Sequence, residues 1–447
     1  MNKDRYIKEI KETARLSVPM VIGQLGQMMM GVVDSMMVGK LGSAELAASA
    51  IGNGLFMLVL IFGGGITLAI SPIVAKAIGE KKLEECGIAL RQGLLVSMGI
   101  GLILTPLAVY GTDIFKYLHQ PKDVESLAIS YGRILGWSTI PYLLFSSYKC
   151  FTEGVSLMKP AMVIVILANI VNVFVNWVFI YGNLGMDAMG LDGAGVATFS
   201  SRIFMLVVMI WFVLKSKKLK KYDPSFHFRR FDIGMMKRIL KIGIPSGTQY
   251  LFEGGAFITS SFLIGMMGKT DLAAHQIAMN LASISFMLFL GISMTASIRI
   301  AGEVGKNDSY GIKVVGYSAL FLSAVAFIFT GLVFVLFNQI LPEFYINDTA
   351  VIALASSLLL YAAAFQISDG IQAVSLGILR GLSDVKVPTR ITFIAYWVIA
   401  LPLGSFLGFY LDYGVKGIWC GLILGLTVSA IWLTRRFRKL IKPSNMT

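Results

Sequence analysis

Three carboxylates stand inside otherwise apolar runs: Asp34 in "GQLGQMMMGVVDSMMVGKLG", Glu253 in "GTQYLFEGGAFITSSFLIG" and Asp369 in "LLLYAAAFQISDGIQAVSLGIL". Insertion scales put the cost of an aspartate at the centre of a membrane helix at about 2.5–3.5 kcal/mol. Groups kept at that cost mark ion or proton paths. A carboxylate flanked by amide oxygens offers hard oxygen ligands, which suit Na⁺. Burial also favours the neutral form of any carboxylic acid, so a proton is the second candidate ion. The residue types leave both open.

Each acid belongs to a polar stripe. Gln24, Gln27, Gly31 and Asp34 follow steps of three, four and three, which on a helix is one face. Gln249, Glu253, Ala256 and Ser260 repeat the pattern, as do Gln366, Asp369 and Gln372. Gln276, Asn280 and Ser283 form another stripe, and Asn169, Asn172 and Asn176 a further one. Amides in such stripes either bond helices together or line a polar cavity. Arg202 is the nearest basic residue to the acids' depth. Methionine-rich "QMMMGVVDSMM" offers adaptable apolar surface, and Phe252, Phe257, Phe286 and Phe289 could meet a flat cation through their ring faces.

The elements that carry these stripes are apolar segments of about 20 residues, the length that a bilayer requires. Twelve are expected, near 15–39, 45–75, 88–110, 124–148, 160–181, 193–214, 243–267, 272–298, 314–338, 350–376, 388–410 and 417–434. Of the 447 residues 56% are hydrophobic and only 14% charged, and the mean hydropathy is +0.75. That composition excludes a soluble globular chain. The net charge of +14 reflects the positive-inside rule rather than nucleic-acid binding, because the basic residues lie between apolar runs. With the N-terminus cytoplasmic, only Lys40, Lys116, Lys122, Arg133, Lys269 and Lys416 fall on the far side. Both termini are then cytoplasmic. Cys86, Cys150, Cys420, His119, His227 and His275 have no metal-ligand or disulfide spacing. "GGGI" at 63–66 lies inside a span and reads as close helix packing, not a phosphate loop.

The chain also repeats itself. A shift of 226 residues carries 19–79 onto 245–305 without a gap, pairing Pro19 with Pro245, Gly65 with Gly291, Ser71 with Ser297 and "LAA" with "LAA". "EGVSLMKP" at 153–160 resembles "RGLSDVKVP" at 380–388. Six spans per half give both halves the same orientation, a parallel repeat. Gln27 overlays Glu253 and Asp34 overlays Ser260, so the two halves place their acids at depths roughly 10 Å apart. The expected division is an N-terminal six-helix bundle at 1–214, a basic cytoplasmic linker at 215–242, and a C-terminal bundle with a basic tail at 243–447.

Together, "VPMVIGQLGQMMMGVVDSMMVGKLGSAELAA", "NIVNVFVNWVFIYG", "GAGVAT", "IPSGTQYLFEGGAF", "DLAAHQIAMN" and "SDGIQAVSLGILRGLSDVKVPT" resemble the multidrug and toxic compound extrusion (MATE) family, in particular its NorM-like branch. The resemblance covers almost the whole chain. It implies an all-α polytopic membrane protein with twelve transmembrane helices in two pseudo-symmetric six-helix bundles. It also implies secondary active export of cationic or amphipathic compounds against inward Na⁺ or H⁺, by alternating access and not by enzymatic chemistry. Asp34 matches the family's first-helix acid, Asn172 and Asn176 its fifth-helix polar pair, and Thr198 its sixth-helix hydroxyl. Glu253 and Asp369 match the C-terminal acids of the NorM-like branch. Asn176 replaces an aspartate found in some relatives, which removes one negative charge. Gln24, Gln27, Gln249, Gln276, Asn280, Gln366 and Gln372 are expected to line the substrate cavity. The expectation is a monomer in the bacterial inner membrane, with no cofactor beyond the coupling ion and no nucleic-acid partner. The rival reading, a flippase for lipid-linked oligosaccharides or peptidoglycan precursors, would call for a basic cavity, whereas the stripes here are acidic and amide-rich.

Overall fold

The computed structural model describes residues 3–117, 121–224 and 231–441. His119, His227, part of the basic linker and the tail beyond 441 lie outside the described residues. Within them the chain is helical, with no strand. The helices are α1 (Lys3–Val38), α2 (Ser43–Thr67), α3 (Ile70–Gly79), α4 (Leu83–Gly111), α5 (Lys122–Trp137), α6 (Thr139–Gly154), α7 (Lys159–Tyr181) and α8 (Leu191–Lys215). They continue with α9 (Ile233–Gly265), α10 (Lys269–Gly305), α11 (Ser309–Leu336), the short α12 (Ile340–Glu343), α13 (Thr349–Gly381), α14 (Lys386–Phe393), α15 (Leu401–Ser405) and α16 (Gly414–Leu440). Among the described residues, ten helical stretches are long and apolar enough to cross a membrane.

Local chemistry sets several boundaries. Asp348 caps α13 by accepting from the backbone N–H of Ala350 at 2.9 Å and of Val351 at 3.3 Å. Asp308 caps α11 by accepting from Gly311 N–H at 2.8 Å. The expected span 45–75 divides at residues 68–69 into α2 and α3. The expected span 124–148 breaks at Ser138 and runs on to Gly154, which brings Lys149 and Glu153 into the helix. Residues 394–400 and 406–410 widen into π-turns on either side of α15. Pro402 lies between them and has no N–H to give the helix ladder, an identifiable cause for the distortion.

The chain divides into two compact units, one of residues 22–247 and one of residues 1–21 with 248–447. Hence α1 and α9 each contribute to both. In the first unit Tyr131, Phe115, Leu135 and Leu143 centre the core. In the second, Trp419, Tyr396, Phe365 and Leu358 centre one apolar cluster, and Phe437, Ile300 and Leu379 another.

The sequence repeat reappears as backbone geometry. Left-handed residues close corresponding turns: Lys81 (φ 63°) and Asn307 (φ 54°) at the 226 shift, Ser156 (φ 64°) and Ser383 (φ 62°) one residue further. A Cβ on Gly154 would lie 2.8 Å from the carbonyl oxygen of Ser71, and one on Gly381 would lie 2.5 Å from that of Ser297. Each unit thus makes the same close helix crossing, which only glycine permits. "GGGI" is likewise a packing surface, since a Cβ on Gly65 would lie 2.5 Å from the Gly247 Cα. Gly31, by contrast, faces open space, with nothing within 4 Å of an added Cβ.

Candidate functional site

In the unit of residues 22–247, α1, α7 and α8 converge on Asp34. The glycines of "GAGVAT" start α8 hard against α7, and a Cβ on Gly193 would lie 2.6 Å from the Phe179 carbonyl. That closeness brings Thr198 to the carboxylate: its Oγ1 donates to Asp34 Oδ2 at 2.7 Å. Asn176 Nδ2 donates to Asp34 Oδ1 at 2.6 Å and to Asn172 Oδ1 at 3.1 Å. Both asparagines are fully buried, and Asp34 is 6% exposed. Asn172 Nδ2 and Asn176 Oδ1 have no partner. The four residues assigned to this site are therefore assembled around one carboxylate, with one donor and one acceptor to spare. Asn169 stands apart from them, its amide tying α7 to the Gly26 carbonyl at 2.9 Å.

The other unit builds its site from α9, α13 and the first π-turn. Glu253 Oε1 accepts from Gln372 Nε2 and from the Tyr396 hydroxyl, both at 3.3 Å. Gln372 also donates to the Tyr396 oxygen at 2.9 Å. Asp369 is buried one helical turn before Gln372 on the same face of α13. A second buried acid thus lies one turn from the group that bonds Glu253, and Phe257 stands edge-on to Tyr396 at 5.8 Å.

The remaining stripe residues divide. Gln24 is buried and accepts from Lys149 Nζ at 3.1 Å. Gln366 accepts from Thr330, while its own Nε2 and that of Gln249 lack partners. Gln27 is half-buried, whereas Gln276 and Asn280 are exposed and join neither cluster. Phe289 is fully buried against Gly370, so it is core rather than a ring free to meet a ligand.

Sequence reasoning missed Tyr396, Lys149, Glu153 and Arg380. Tyr396 sits in an aromatic-rich run that reads as a membrane-interface belt. Lys149 and Glu153 lie just past the point where an apolar window ends, although their i,i+4 spacing is a helix signal; they approach to 3.9 Å. Arg380 donates to the Tyr250 hydroxyl at 3.2 Å. At the repeat shift Tyr250 corresponds to Gln24, so both units hold the acid-bearing helix at the same position with a buried cation.

The MatE family model matches residues 19–178 and 245–406. A probable multidrug resistance protein NorM of Mesorhizobium japonicum is 36% identical over 440 residues, covering 97% of this chain and 94% of that protein. The multidrug resistance protein MdtK of Yersinia pseudotuberculosis is 33% identical over 451 residues, covering 98% and 97%. Among solved structures, an outward-facing multidrug resistance MATE family transporter superposes with a TM-score of 0.89 at 21% identity, over 97% of both chains. The eukaryotic MATE transporter AtDTX14 gives 0.88 at 20% identity, over 98% of this chain and 100% of that one.

Proposed function

This chain belongs to the MATE family, in its NorM-like branch, and from that premise we propose that it is a secondary active multidrug exporter driven by inward movement of Na⁺ or H⁺. The observation that carries the ion-coupled part is the Asp34 cluster. Its carboxylate is buried, accepts one hydrogen bond on each oxygen and is flanked by two asparagine atoms without partners. Turning the Asn176 amide over exchanges a donor for an acceptor. The same side chains thus serve a bare carboxylate in one state and a carboxylate with a cation beside it in the other.

In the proposed cycle an ion enters from outside and neutralises Asp34 or the Glu253–Asp369 pair. Binding of a cationic or amphipathic substrate then weakens, and the substrate leaves outward. Alternating access moves two six-helix bundles, residues 1–214 and 243–447, joined by the basic linker 215–242. Twelve membrane-crossing rods fit this reading, the ten apolar stretches together with α5–α6 and α9. The exporter acts as a monomer in a bacterial inner membrane, with both termini cytoplasmic and the coupling ion as its sole cofactor. The membrane potential supplies about 2.3 kcal/mol per inward charge per 100 mV. Electroneutral exchange of one cationic drug for one cation relies on the ion gradient alone.

Ethidium efflux from proteoliposomes, driven separately by a Na⁺ gradient and by a pH gradient, tests the reading. One of the two gradients is expected to drive export and so to name the ion. Export driven by neither, from folded protein, would overturn it.

A further inference from the structure

Each unit holds an arginine that binds no carboxylate directly. Arg202 lies four residues past Thr198 on α8, roughly 6 Å along the axis. It donates to the Ser138 hydroxyl at 2.5 Å, at the break between α5 and α6. Its guanidinium lies over the rings of Phe56 at 4.6 Å and Tyr142 at 5.4 Å. Arg380, on α13, is 3% exposed and donates to the Tyr250 hydroxyl while lying over that ring at 5.3 Å. Tyr250 is one turn from Glu253 on α9. Neither arginine forms an ion pair among the described residues, yet each lies within one to two helical turns of its unit's acid, Arg202 one turn beyond the Thr198 that bonds Asp34 and Arg380 on the Tyr250 one turn before Glu253.

Arg380 is buried and Arg202 half-buried, and a guanidinium withdrawn from water requires compensation. Ring faces and a hydroxyl provide part of it, and the acid one or two turns away provides the rest. A cation arriving at the acid offsets that attraction. Beside Asp34 it leaves the acid, Arg202 and the cation with one net positive charge, and beside Glu253 and Asp369 it leaves the two acids, Arg380 and the cation balanced. In each unit the arginine thus repels the incoming cation. We propose that Arg202 and Arg380 are resident counter-cations, each competing with the transported cation for the carboxylate of its own unit and so promoting that cation's release. The proposal rests on the exporter reading above, because it takes the acids as cation sites. Coulomb attraction over one to two helical turns, at an effective dielectric near 20, corresponds to roughly ten-fold or more in affinity.

The test is equilibrium binding of Na⁺ and of ethidium to the full-length protein at fixed ionic strength. Arg202→Gln is made in protein carrying E253Q and D369N, so that Asp34 reports alone, and Arg380→Gln in protein carrying D34N. Each glutamine variant is expected to bind the cations its parent binds roughly ten-fold tighter, and Arg→Lys to return affinity close to the parent's. A residue that merely braces helices would give no tightening, and lysine would not restore what glutamine changed. Where glutamine impairs folding, Arg→Met keeps the packing against the rings and removes the same charge. Unchanged or weakened affinity in folded charge-loss variants overturns the proposal alone. Parents that bind neither probe overturn the exporter reading and the proposal with it.

Discussion

Asp34 shows how few atoms make the site. One hydroxyl and one amide hold its two oxygens, from α8 and α7. Thr198→Val removes the hydroxyl but keeps the shape, leaving a buried carboxylate oxygen without its donor. That change is expected to cost about 1–3 kcal/mol, read as a lower thermal midpoint in detergent, with Thr198→Ser recovering most of it. A midpoint unchanged by the valine would mean that the hydroxyl does not hold the acid. This cluster was legible in the sequence because helical spacing aligned the polar residues and the family motifs named them. Spacing does not say what a side chain meets. Asn169 shares a stripe with Asn172 and Asn176, yet it bonds a backbone carbonyl instead. Tyr396 reaches Glu253 from a run in which nothing marks one aromatic above its neighbours.

Among the elements, α13 against α10 is the tightest crossing. A Cβ on Gly377 would lie 2.1 Å from the Ser293 carbonyl oxygen, so Gly377→Ala must push two backbones apart, at a cost of about 1–3 kcal/mol. Gly31→Ala meets nothing and is expected to be neutral or stabilising by up to about 1 kcal/mol through helix propensity. Thermal midpoints of the two variants separate these outcomes, and equal shifts would contradict the packing argument. The N-terminal end of α1 carries a second element-scale feature. Arg5 bonds Asp308, and Arg299 bonds Glu9 and Thr13, all within one unit. The bond from Arg5 holds the Asp308 carboxyl below the usual carboxylate range. A depressed acid contributes stability above its unfolded value and loses it as pH falls through the folded one. Asp308→Asn keeps the capping geometry but not the charge. Its thermal deficit is therefore expected at pH 7 and should shrink progressively below about pH 4. A deficit independent of pH would assign the effect to the cap. Helix existence was legible from apolar length, but helix ends were not. The span expected to stop at 148 continues through Lys149 and Glu153, because a buried Lys–Gln bond and a neighbouring carboxylate compensate what hydropathy counts as a terminator. The π-turns around Pro402 have no periodic signature at all.

For the whole molecule, the repeat was the most legible feature. Residue matches at a shift of 226 reappear as matched left-handed turns and matched glycine crossings. The chemistry does not follow that symmetry, since one unit centres on a single acid with two asparagines and the other on a pair of acids with a tyrosine. Similar frames with different acid clusters suit the proposed cycle, in which ion and substrate act on the same carboxylates from different states. The measurement that tests this most directly is gradient-driven ethidium efflux from proteoliposomes by wild type and by the D34N/E253Q/D369N variant, both checked for folding. Wild type is expected to export and the variant to lose gradient-driven export, while still binding hydrophobic dye. Efflux at the wild-type rate by the variant lacking all three acids would contradict the account.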